Sequence, residues 1–267
     1  MKSTVISIAN QKGGVGKTTT SINLATALAA FGKKTLLIDL DPQSNATTGL
    51  GIYDTFSNIY NVLSDQIDVS EAIKSTNIPN LKIISSSKDL AAAEIELSNA
   101  ENRNEILKKI IASISSDFDF IIIDCPPALG ILTINALCAS DYVLIPLQSE
   151  YFALEGLGHL IGTLKRVKSN LNPDIEIVGI LLTMYDKRSA LAERVEEEVR
   201  TTFGELVFNS CIPRNVKISE SPSFGQPALI YDVGCNGSQA YIKLTSEVIK
   251  RIENERNGYV SEEKRAG

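Results

Sequence analysis

Residues 10–20 read NQKGGVGKTTT. Glycines, a lysine and threonines at this spacing suit phosphate binding. Gly13, Gly14 and Gly16, with Val15 between them, let the backbone curl until its N–H groups face one centre, on the amino end of a following helix. Lys17 would reach the outer phosphates, Thr18 would place its hydroxyl on Mg2+, and Thr19 would touch the innermost phosphate. The pattern departs from G-x-x-x-x-G-K-[ST], because Gln11 stands where the first glycine belongs. A second lysine, Lys12, also lies inside the loop, where one is normally enough.

Two later stretches carry acids. LLIDLDPQ sets Asp39 and Asp41 two residues apart, and IIIDCPP closes an apolar run with Asp124. Parallel sheets gather their binding groups at the carboxyl ends of strands, so these acids are expected near the loop. An acid after the second strand can orient an attacking water or hold a metal-bound one. Asp124 would hold Mg2+ directly or through water. Pro126 and Pro127 stiffen the exit and suit a γ-phosphate sensor. Cys125, Cys138, Cys211 and Cys235 show no C-x-x-C spacing, which argues against a zinc site or a disulfide framework. His159 falls in a helical pattern, where packing or exposure is the better reading than ligation.

The elements that must hold these residues alternate. TVISIAN, KTLLIDLD, NLKIISSS, FDFIIIDCPP, YVLIPLQSE and IEIVGILLTMYD read as strands, and LVFNSCIP as a short one. Helical patterns lie between them, with SNIYNVLSD and VSEAIKS as short helices and a last helix over about 238–253. Near-continuous Val, Ile and Leu runs mark strands covered on both faces. The expected fold is therefore α/β: a doubly wound, mainly parallel sheet with helices on both faces. One domain over 1–253 is expected, followed by a polar tail, 254–267, that frays. The chain has 267 residues and a net charge of −6, so any nucleic-acid contact must rest on a local basic patch. No apolar run approaches the roughly 18 residues of a membrane span, and the first residues show no signal peptide, so a cytoplasmic location is expected.

KGGVGKTT, followed in order by DLDPQSNATTG, DCPP, PLQSEYFALEG and IPRNVKISESPSFGQP, resembles the deviant Walker A pattern of the MinD/ParA superfamily, in its ParA/Soj branch of partition ATPases. The likeness spans roughly residues 1–250, with no DNA-binding extension before Val5, as in the short chromosomal type. It implies a P-loop ATPase with ATP and Mg2+ as cofactors. Lys12 matches the lysine that reaches phosphates bound in a partner subunit; Lys17 and Thr18 match the lysine and metal ligand of the same subunit. Asp41 matches the acid that positions the attacking water, Asp124 the metal-site acid, and Pro213 and Asn215 the stretch that lines adenine. The N-K-x-D guanine motif is missing, which favours adenine independently. The resemblance further implies an ATP-dependent homodimer that binds double-stranded DNA without sequence preference and is released when a ParB-type centromere-binding partner stimulates hydrolysis.

Basic residues cluster at Lys165, Arg166 and Lys168, at Lys187 and Arg188, and at Arg214 and Lys217. The resemblance selects Arg188 and Lys217, then Arg214, as DNA contacts, and phosphate contacts of this kind weaken steeply with salt. A MinD-like membrane switch is disfavoured, because the tail lacks an apolar face, so no membrane partner is expected. An ATPase of the same superfamily positioning another cargo is the alternative reading.

Overall fold

Every residue of Thr4–Ile8 is buried, as expected of a strand covered on both sides. A computed structural model describes residues 2–98, 100–150 and 153–266. In it, seven strands form one sheet: β1 Thr4–Ile8, β2 Thr35–Asp39, β3 Ile73–Ser75, β4 Leu81–Ile84, β5 Phe120–Asp124, β6 Tyr142–Gln148 and β7 Glu176–Thr183. Their spatial order is β3-β4-β2-β5-β1-β6-β7. All neighbours are parallel except β3 and β4, an antiparallel pair at one edge.

Twelve α-helices accompany the sheet among the described residues. They are α1 Lys17–Ala30, α2 Asn45–Gly49, α3 Ile59–Leu63, α4 Val69–Ala72, α5 Leu90–Ser98, α6 Ile106–Ile114, α7 Ile131–Ala139, α8 Ala153–Asn170, α9 Ala190–Phe203, α10 Val216–Glu220, α11 Ala228–Tyr231 and α12 Asn236–Ala266. Alternate strand residues feed opposite faces. Val5, Leu36, Ile38, Ile121, Ile123 and Val143 pack with Leu107 of α6, Leu132 of α7 and Leu160 of α8. Ile6, Ile8, Leu37, Ile122 and Leu144 pack with Leu24 and Leu28 of α1 and Tyr241 and Leu244 of α12. The sequence period of two thus becomes two separate cores, and the sheet is doubly wound as expected.

Three expectations change. VSEAIKS is not one helix: α4 ends at Ala72, and Ile73–Ser75 turns into β3, pairing with Lys82–Ile84. LVFNSCIP forms only isolated bridges, Val207 to Ile180 and Pro213 to Tyr185. Phe208 and Ile212 still donate to the β7 oxygens of Ile180 and Leu182, and side chains of α12 serve groups around them. Glu247 accepts from the N–H groups of Asn209 (2.9 Å) and Ser210 (3.1 Å), and Arg251 donates to the oxygens of Leu206 and Val207. The last helix continues past Glu253 to Ala266. Arg256, within the stretch expected to fray, donates to Thr4 Oγ1 at 2.8 Å and ties that turn to β1. Tyr151 and Phe152, which belong to PLQSEYFALEG, lie outside the described residues.

Candidate nucleotide site

The central strand β1 runs into the loop, and the loop into α1. Gly14 (φ 74°) and Gly16 (φ 90°) adopt left-handed backbone that a side chain would strain. This is why the loop needs glycine there. Lys17 opens α1 with its side chain buried, and its ammonium donates to the backbone oxygen of Lys12, 3.1 Å away, across the mouth of the loop. Burial pulls the Lys17 ammonium below the ordinary lysine range, opposed chiefly by the Asp124 carboxyl.

Lys12 behaves differently. Its backbone N–H is held by Asn10 Oδ1 (3.0 Å), while Asn10 Nδ2 donates to the Pro146 oxygen of β6 (2.7 Å). Its exposed ammonium pairs with Glu150, beyond the end of β6. The two lysines of one loop therefore point to different places.

Asp124 ends β5 beside the loop and is fully buried. Ser21 Oγ of α1 donates to its Oδ1 at 2.7 Å. Its Oδ2 has no hydrogen-bond partner among the described residues. Burial first, and then the neighbouring Asp39, push its pKa up to about 8, against the hydroxyls of Ser21 and Thr18. A buried carboxylate oxygen without a partner is costly, and a cation would satisfy it. No group of three or more His, Cys, Asp or Glu side chains among the described residues could hold a metal ion. A cation beside Asp124 and Thr18 would need further ligands from elsewhere, which suits Mg2+ with its preference for phosphate and water.

The two acids of LLIDLD separate. Asp39 accepts from Thr47 N–H (2.8 Å), Thr47 Oγ1 (2.7 Å) and Asp41 N–H (3.2 Å), which ties α2 to the end of β2. Its carboxylate is already used, so its proximity to Asp124 is structural. Asp41 is nearly buried, accepts from Gln43 N–H at 3.0 Å through Oδ1, and accepts no hydrogen bond at Oδ2 among the described residues. Ser86 Oγ donates to the Asp41 backbone oxygen (2.8 Å) and fixes that turn. Thr19 lies half-buried on the first turn of α1; its backbone oxygen accepts from Asn23. Pro126 is buried and Pro127 exposed.

Beyond β7, Tyr185 exchanges backbone bonds with Ile212 (3.0 Å) and Arg214 (3.2 Å), which sets Pro213 alongside it. Pro213, Arg214, Asp186, Lys187 and Arg188 line an open groove of about 1170 Å3 with residues of α12. Asn215 is outside that lining and caps α10 by accepting from Lys217 N–H at 2.8 Å. Arg188 makes a two-point pair with Asp186, at 3.0 Å on each arm, yet is 90% exposed. Lys217 pairs with Glu220 (3.2 Å) and sits over the Tyr231 ring. Arg214 is exposed. The α8 cations Lys165, Arg166 and Lys168 are exposed, and Lys168 pairs with Glu176. Asn10, Ser21, Glu150 and Thr183, whose hydroxyl bonds the loop at Val15, were not singled out from sequence. Ser21 had a readable signal, one helical turn after Lys17, and Thr183 a weaker one, at a strand's carboxyl end.

The sequence comparisons agree with this geometry. An AAA-domain family pattern matches residues 3–177. The chromosome partitioning protein ParA of Caulobacter vibrioides (strain NA1000 / CB15N) is 51% identical over 251 residues, 92% of this chain and 94% of that protein. This chain belongs to the ParA/Soj family of chromosome-partitioning ATPases. The sporulation initiation inhibitor protein Soj of Bacillus subtilis (strain 168) is 50% identical over 246 residues, 91% of this chain and 97% of Soj. Among solved structures, cobyrinic acid a,c-diamide synthase of Mycobacterium smegmatis with bound ADP and magnesium superimposes at a TM-score of 0.83. It is 34% identical, covering 94% of this chain and 96% of that one. Like the ParA/Soj reading of the sequence, these matches describe a P-loop ATPase fold. Among the described residues, no helix is long and apolar enough to cross a membrane.

Proposed function

We propose that this chain is a nucleotide-switched DNA-segregation ATPase whose working form is a dimer with ATP held between two subunits. The chain is an ATPase that uses ATP and Mg2+. The loop glycines present N–H groups to phosphate, and Lys17 exchanges the Lys12 carbonyl for phosphate oxygens. Thr18 and Asp124 would hold the cation, which would satisfy the unpartnered carboxylate oxygen of Asp124. When bound, Mg2+ would supply positive charge to the transferred phosphoryl group. Asp41, with one carboxylate oxygen uncommitted, orients the attacking water.

The divergence of the two lysines carries the dimer reading. Lys17 serves its own loop, whereas the exposed Lys12 ammonium pairs with Glu150. A cation exposed beside a phosphate site is of use to phosphates carried by a facing subunit. In the dimer the patches of Arg188, Lys217 and Arg214 are doubled, and DNA affinity then depends on ATP without a large change inside a subunit. A ParB-type partner would trigger hydrolysis and release from DNA. The cytoplasmic nucleoid is the expected place of action. Analytical ultracentrifugation with ATP and Mg2+, with ADP, and without nucleotide tests the dimer. A monomer in all three conditions contradicts it.

A further inference from the structure

Thr183 closes β7 with its side chain buried against the phosphate loop. Its hydroxyl donates to the backbone oxygen of Val15 at 2.7 Å. A Cβ built on Gly16 would lie 3.7 Å from Thr183 Cγ2, so the methyl faces the same peptide unit that the hydroxyl holds. That unit, Val15–Gly16, is trans, because the structure contains no cis peptide bond among the described residues. In a trans peptide the C=O and N–H point in opposite directions. Holding the oxygen on Thr183 of β7 turns the Gly16 N–H away from Thr183.

We propose that Thr183 is a positioning residue of the phosphate site: it fixes the Val15–Gly16 peptide so that the Gly16 N–H is aimed at phosphate before the nucleotide arrives. The proposal rests on the ATP-site reading above. Gly16 has no Cβ to resist rotation of this peptide, and its φ of 90° lies in a region glycine enters and leaves freely. Some outside group must therefore choose the orientation, and Thr183 Oγ1 is the one donor to Val15 O among the described residues. Without it the carbonyl is buried with no donor, and a rotated peptide presents oxygen rather than N–H to the anion. An N–H aimed in advance costs no reorganisation on binding, which is the source of its value to a charged ligand.

The test compares wild type, Thr183→Val, Thr183→Ser and Lys17→Ala, titrated with a fluorescent ATP analogue in the presence of Mg2+. Steady-state KM and kcat for ATP and thermal unfolding without nucleotide accompany the titration. Valine keeps the shape and removes the donor; serine keeps the donor. Thr183→Val is expected to weaken nucleotide binding and raise KM by about tenfold, the size of one charge-assisted hydrogen bond, while Thr183→Ser stays near wild type. Should valine not fold, Thr183→Ala against Thr183→Ser reads the same difference. Wild-type affinity in Thr183→Val, or an equal loss in Thr183→Ser, overturns the proposal. Binding by wild type that is lost in Lys17→Ala shows the ATP site to be sound, so a failure at Thr183 is then its own. Absence of binding by wild type overturns the ATP-site reading and this proposal together.

Discussion

Asp39 and Asp124 are Cα partners in the parallel β2–β5 register, two fully buried carboxyls side by side. One is spent on Thr47 and the other keeps an oxygen without a partner. This pairing sets the electrostatics beneath the phosphate loop, and burial pushes both pKa values up, Asp39 to about 6 and Asp124 to about 8. Three hydrogen bonds favour the ionised form of Asp39, and fewer do so for Asp124.

The sign of the pH effect follows. An acid whose folded pKa is raised binds its proton more tightly when folded, so its contribution to stability is fully present below the unfolded carboxylate range. It is lost as pH rises through the folded values, here about 6 and about 8. The unfolding midpoint of the nucleotide-free protein between pH 5 and pH 9 should therefore decline more steeply in wild type than in Asp124→Asn, which removes one of the two titrating groups. Parallel curves for the two proteins contradict the buried-pair account.

Lys12→Gln removes the cation that faces Glu150. An exposed ion pair contributes about 0–1 kcal/mol, so the unfolding midpoint should hardly move. ATP-dependent dimerisation or turnover should fall by about tenfold or more, as expected for a charge acting on a transferred phosphoryl group. Sedimentation velocity and phosphate release measure both, and wild-type values in each remove the role in a facing subunit.

Asp41→Ala should leave ATP binding intact and lower hydrolysis by about a hundredfold, the usual worth of a group that orients a reacting water. The ATP-bound dimer should then accumulate and survive size-exclusion chromatography. A monomer eluting in the presence of ATP argues against this assignment.

Arg188→Glu changes the sign of an exposed charge that Asp186 already orients. DNA retention should weaken by several-fold at low salt and lose part of its salt dependence, while ATP-driven dimerisation persists. Gel shifts over a salt series that match wild type exclude Arg188 from the DNA surface.

How much of this was legible in the sequence depends on whether the determining contact is local. The loop was legible because GGVGK after a buried strand forces its own backbone, and Gly14 and Gly16 do adopt left-handed φ. That Asp39, Asp41 and Asp124 lie at strand ends followed from the apolar runs before them, and only the resemblance selected Asp41. Asp39 could not be told from Asp41, because the difference is made by Thr47, which folds back from α2. The run LVFNSCIP carries a strand's composition, yet Glu247 and Arg251 of α12 take hydrogen bonds that a strand would make. Ile73–Ser75 continues a helical pattern, and the edge of β4 draws it into the sheet instead. The bonds from Thr183 to Val15 and from Lys12 to Glu150 join residues more than a hundred positions apart, and no local spacing announces them.

The central claim is that ATP, through dimer formation, switches DNA binding on. Retention of a non-specific DNA duplex by wild-type protein with ATP and Mg2+, with ADP and Mg2+, and without nucleotide tests it most directly. Retention is expected with ATP alone, diminishing as salt is raised. Equal retention in all three states, or none in any, contradicts the account.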